Sequence, residues 1–263
     1  MFGFEVRKLF RKKETLIALV LYLVMSVFLF SRLQFGNADL SMDILYGDFI
    51  NIEETYMSLL VIWASILTSL LFSIEYKENM LPVLLVTKNG RCKFVSVKMR
   101  VALLLSNGLY LVYLFLILAS WVMSVGFHFD MPVEGEYYLG AYIENPSVTS
   151  MGTVLAIHLA GAFLSVNVIT LICLYLSNKL KKAFTTSVLI IVVSFVMGMC
   201  SGLGPLGILA TLSPIAFLHV DEAYNWVIKV MDFNLSLYLI DFAIYIIIAL
   251  YMVVKLRKIF KVK

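Results

Sequence analysis

Residues 57–74 carry no charged side chain. A bilayer core about 30 Å thick needs about 20 apolar residues in helical form, so a run of this kind is long enough to cross it. Five more stretches have the same character, and together the six predict spans over residues 15–30, 56–74, 101–125, 152–176, 183–203 and 235–254. Composition agrees: 62% of the 263 residues are hydrophobic and 14% are charged. Soluble domains are nearer half apolar and a quarter charged. That excess excludes a secreted miniprotein, a disordered tail and an ordinary cytosolic enzyme. The chain reads as an all-α, polytopic membrane protein in a single domain over residues 1–263.

Basic residues precede the first span as they would in a signal peptide, but Ser31-Arg32-Leu33-Gln34 offers no small-x-small cleavage pattern. The first segment is therefore expected to remain as a helix. Every lysine and arginine except Arg32 and Lys229 falls before span one, between spans two and three, between spans four and five, or after span six. Asp39, Asp43, Asp48, Glu53, Glu54, Glu134 and Glu136 fall on the other side. The positive-inside rule then places both termini in the cytosol, and the plasma membrane is the expected location. The formal net charge of +4 is explained by topology and by anionic lipid headgroups, without nucleic acid.

Residues 1–13 predict a short amphipathic helix in the inner interface. Phe2, Val6, Leu9 and Phe10 share one side, with Arg7, Lys8, Arg11 and Lys12 mostly elsewhere. Such a helix serves as an anchor for span one or as a mechanical element touching a cytosolic partner. The loop over residues 75–100 is the most informative part of the chain. Leu81, Leu84, Leu85 and Lys88 fall on one helical face, Pro82 suits a first turn and Gly90 a helix end. The apolar stripe of that helix has two places to go, the bilayer interface or a groove on another protein.

This loop resembles the cytoplasmic coupling region of type-2 ABC exporter permeases. Their pattern is a Glu, a helix with paired leucines, an Arg about sixteen residues after the Glu, and a Lys seven further on. Glu75, Leu84-Leu85, Arg91 and Lys98 reproduce that spacing. Asn79-Met80 and Lys88 stand where the family often has Gly-Thr and Pro. An interfacial N-terminal helix, six spans, cytosolic termini and a length near 260 suit the same family. So does the apolar segment over residues 202–215, broken by Gly204, Pro205, Gly207 and Pro214, where the family has re-entrant helices before the last span.

The resemblance implies a separate ABC ATPase dimer, holding the ATP and magnesium, with the loop helix seated in a groove of that subunit. Leu81, Leu84, Leu85 and Lys88 would make the contact, oriented by Glu75, Glu78, Arg91 and Lys98; the alternative for these charges is a solvated loop. It also implies a second permease, identical or related, with the pathway at the seam and lined by spans two and five. That nominates Trp63, Thr68 and Ser69, with Thr185, Ser194, Met197 and Met199. Simple helix packing is the competing explanation for each.

The chain itself has no Walker A loop, no His-Glu-x-x-His metal set and no cysteine framework, its three cysteines being Cys92, Cys173 and Cys200. No catalytic residue, metal site or bound cofactor is expected of it. Asp241, an acid well inside a span, would cost about 2.5–3.5 kcal/mol at a helix centre. It reads as a structural pair or, if the chain is a proton- or sodium-coupled carrier, as a coupling site. His158 and Asn167 in span four read as packing or hydrogen-bonding residues. A non-transporting regulatory subunit is a third possibility.

Overall fold

The computed structural model describes residues 2–31, 42–77, 79, 90–124, 126, 127, 129, 130, 137, 138, 141, 142, 150–199, 212, 213, 227–230 and 233–258. Among the described residues, seven helices carry the fold: α1 (Phe2–Phe10), α2 (Lys13–Ser31), α3 (Met42–Lys77), α4 (Gly90–Ser124), α5 (Met151–Leu180), α6 (Ala183–Gly198) and α7 (Leu237–Lys258). Helices α2, α3, α4, α5 and α7 are long and apolar enough to cross a membrane. The sixth apolar segment, α6, has 16 residues, about 24 Å at 1.5 Å per residue. The chain is thus a multi-pass helical membrane protein with five full-length candidate spans and one shorter apolar helix.

Several boundaries depart from the sequence expectation. Helix α3 begins at Met42, well before the apolar run, and its 36 residues extend about 54 Å. Helix α4 begins at Gly90, and Lys98 sits two turns inside it; the helix expected before Gly90 lies outside the described residues. The expected 75–100 loop shrinks accordingly, because both flanking helices continue past the apolar core as polar, helix-compatible sequence. Two small antiparallel hairpins lie within segments expected to be loops: β1 (Tyr137–Tyr138) with β2 (Ala141–Tyr142), and β3 (Val227–Val230) with β4 (Phe233–Ser236). Aromatic and β-branched residues favour this pairing. As a result α7 starts at Leu237, since Leu235 belongs to β4.

Helix α3 is the centre of the bundle. Two-thirds of its apolar window is buried, against 22% for α2 and 17% for α7. It packs on α2, α4, α5 and α6. In the peripheral α2 only a stripe is buried: Thr15, Ala18, Tyr22 and Ser26. Two tyrosine hydroxyls tie this stripe to its neighbours through backbone carbonyls, as a low-dielectric interior favours. The Tyr22 hydroxyl donates to Leu109 O in α4 (3.0 Å), and the Tyr56 hydroxyl of α3 donates to Ser26 O (3.1 Å). Asn107 of α4 and Asn167 of α5 exchange side-chain amide hydrogen bonds of 3.3 and 3.1 Å.

Helix α5 opens with a capping box between Ser150 and Thr153. Its Gly152 donates its N–H to Phe129 O at 2.8 Å, and a Cβ there would stand 2.8 Å from the same oxygen, so only glycine allows this approach. At the other end α5 turns into α6 through Lys181, whose φ of 58° is left-handed.

Candidate functional site

Helix α1 is amphipathic, but its buried face differs from the expected one. Glu5 and Leu9 turn inward against α4, while Phe2, Phe4 and Phe10 are exposed. An acid on the inward face of a short helix requires a partner, and α3 and α4 supply it. In α3 the buried stripe Leu67, Leu71 and Glu75 repeats every fourth residue. In α4 the corresponding stripe contains Phe94, Val95, Lys98, Met99 and Ala102. Where the two stripes meet, Phe72 and Phe94 pack edge to face with centroids 5.8 Å apart. Lys98 rises beside them, its ammonium 5.5 Å above the Phe94 ring.

Lys98 Nζ lies 2.5 Å from Glu5 Oε2 and 2.8 Å from Glu75 Oε1. Lys8 Nζ of α1 donates to the same Glu75 oxygen at 3.1 Å. Glu5, Glu75 and Lys98 are each at most 5% exposed. Two acids and two bases make the cluster formally neutral, which is the condition under which buried charge is tolerated. Three helices are therefore clamped at one point: α1, the end of α3 and the start of α4. Both chain segments that flank residues 78–89 leave from this clamp.

The neighbouring end of the bundle is tied by a hydrogen bond and a cation–π contact. Tyr76 donates to Asn178 Oδ1 at 2.7 Å, and Lys181 stands 5.5 Å above the Tyr76 ring. Inside the bundle, hydroxyl groups join α3, α5 and α6. Ser69 and Ser187 pair through their Oγ atoms at 2.7 Å and Ser177 donates to Ser69 O at 2.7 Å, while Thr68 donates to Ala64 O within α3.

Of the residues nominated from sequence, Glu75 and Lys98 are brought into direct contact. Glu78, Leu81, Leu84, Leu85 and Lys88 lie outside the described residues. Arg91 occupies the first turn of α4, its side chain likewise outside the description. The pathway candidates fall into separate environments. Thr68 and Ser69 are fully buried in the α3–α5–α6 seam. Trp63 is half-buried, with an indole N–H that meets no acceptor among the described residues. Ser194 and Met197 line an apolar cavity of about 360 Å³ between α5, α6 and α7. Thr185 is exposed at the start of α6, and Met199 is 78% exposed at its end.

Of the 202–215 segment, Leu212 and Ser213 are described. Ser213 donates to Ser194 O (2.7 Å), and the Tyr245 hydroxyl donates to Leu212 O (2.8 Å). Asp241, 1% exposed, acts electrostatically on that tyrosine. Cys173 is a buried free thiol. Among the described residues no three His, Cys, Asp or Glu side chains are grouped to hold a metal.

Sequence reading missed Glu5, Lys8, Ser177 and Ser187. Glu5 carried a signal: it is the one acid among the first thirteen residues, otherwise basic or apolar apart from Gly3. The serines carried none, because serine is common in membrane helices.

Helix length, apolarity and the polar contacts between helices define the chain as a multi-pass membrane protein. Compared with known proteins, it matches no family model, no curated protein and no solved structure.

Proposed function

We propose that the chain is the permease subunit of an ATP-driven exporter of the type-2 ABC class, moving an amphipathic cargo such as an antimicrobial peptide, a drug or a lipid-like molecule. A separate ATPase dimer provides the energy, with ATP and magnesium bound there, and a second permease completes the passage. Both termini are cytosolic in this reading and the membrane is the plasma membrane. The observation that carries it is the contact between Glu75 and Lys98, two of the residues that match the family's coupling pattern. They join the helix before residues 78–89 to the helix after them. A push delivered to that segment by an ATPase would be transmitted to α3, α4 and α1 together, because the ion pairs leave the three little freedom to move separately.

Leu84 and Leu85 would enter the ATPase groove as apolar anchors, a helix-in-groove mode of docking. Replacing both with Asp is expected to release the ATPase from the permease purified in mild detergent, while membrane insertion is unchanged. Retention of a stoichiometric ATPase by the double variant would remove this segment from the docking role. An ATPase-free preparation of the unaltered chain, reproduced across detergents, would remove the ABC reading altogether.

Buried Asp241 beside Tyr245 and the α5–α6–α7 cavity favour a second reading, a proton- or sodium-coupled carrier. In that case Asp241→Asn would abolish ion-dependent uptake or efflux in proteoliposomes. A regulatory subunit without transport would show neither activity.

A further inference from the structure

A second feature of the basic end belongs to neither reading. Between the start of α2, the end of α3 and the α5–α6 turn lies an open cleft of about 1100 Å³. Four lysines line it, Lys12, Lys77, Lys181 and Lys182, against one acid, Glu14. Lys77, Lys181 and Lys182 form no ion pair with any described residue. The N-terminus of α6 opens into the same space through Ala183, Phe184 and Thr185, and its N-cap residue, Lys182, provides no side-chain cap. Uncapped N–H groups at the positive end of a helix macrodipole favour an anion.

Thr15 is the independent observation. It lines the cleft with a side chain 0% exposed, and its hydroxyl meets no hydrogen-bond partner among the described residues. A buried hydroxyl without a partner costs about 1–3 kcal/mol, so its retention calls for a ligand atom. Apolar side chains stand beside this charge: Leu70 and Ile74 are half-buried, and Leu180 and Phe184 are exposed. Charge next to exposed hydrocarbon is the profile of a lipid phosphate, with ester and acyl groups lying along the apolar side chains.

We propose that this cleft binds the phosphate of an anionic glycerophospholipid, held by Lys181, Lys182, Lys77 and the start of α6, with the Thr15 hydroxyl donating to a phosphate or ester oxygen. The site is independent of the transport reading, since it needs neither ATPase nor cargo.

The full chain is reconstituted in nanodiscs of equimolar phosphatidylglycerol and phosphatidylcholine, exchanged into mild detergent, and the retained lipid is identified by native mass spectrometry. Retention of phosphatidylglycerol over phosphatidylcholine by about tenfold is expected, the ratio that about 1.4 kcal/mol of preference produces. Lys181→Gln with Lys182→Gln should bring the ratio near one. Lys255→Gln with Lys258→Gln, on exposed lysines outside the cleft, should leave it within about twofold, as nonspecific surface charge contributes modestly. Equal loss from both double variants, or a preference that survives the first, overturns the site. If the first double variant does not fold, Thr15→Val takes its place. It should fold, since it removes an unpartnered hydroxyl, and still lose the preference. Displacement of the lipid by excess inorganic phosphate would show a free-anion site and overturn the lipid assignment.

Discussion

Lys98 decides the character of the clamp, because among the described residues it alone touches both buried acids. Replacing it with Met keeps the volume but leaves Glu5 and Glu75 with Lys8 as their single cation among the described residues. Breaking a buried pair in this way costs about 3–5 kcal/mol. A corresponding drop in unfolding stability in detergent is expected for Lys98→Met. Removing the acids as well, in Glu5→Gln/Glu75→Gln/Lys98→Met, should recover most of it, because no uncompensated charge then remains. A triple variant as unstable as the single one would mean that packing, and not charge, governs the site. Glu75 and Lys98 were nominated together because their spacing matches the coupling pattern that the loop resembles, and such a pattern is visible in one dimension. Glu5 was not placed with them, because which face of α1 turns inward depends on what α4 presents, and that is a property of the assembled bundle.

At the scale of the helices, apolar length alone located the five full-length spans, and the sixth was read as longer than the helix proves to be. The ends were misplaced where polar sequence continues the helix beyond the hydrocarbon, at Met42 and at Gly90, since hydropathy marks the solvent boundary and not the hydrogen-bonded one. The hydroxyl seam was equally invisible. Thr68 and Ser69, nominated as pathway residues, are buried between α3, α5 and α6 in this chain. Hydrogen bonds between membrane helices average about 0.6 kcal/mol in double-mutant cycles. A cycle of Ser69→Ala and Ser187→Ala is expected to give a coupling of about that size. Zero coupling would mean that the two hydroxyls do not meet, leaving α6 free to part from α3.

For the molecule as a whole, contacts such as Lys8 to Glu75 and Tyr76 to Asn178 gather the start of α2, the end of α3, the start of α4 and the end of α5 at one end of the bundle. If α6 and α7 each cross, both termini lie on the same side. Reporter fusions that fluoresce in the cytosol and fail when exported should be bright at either terminus. A dark C-terminal fusion beside a bright N-terminal one would show an odd number of crossings. The clamp also imposes an order on synthesis. Glu5 leaves the ribosome about ninety residues ahead of Lys98, which at 5–20 residues per second is a wait of roughly 5 to 20 s. During that interval α1 has no Lys98 to meet and must stay at the water-exposed margin, so a helix made before α4 finds its place only after it.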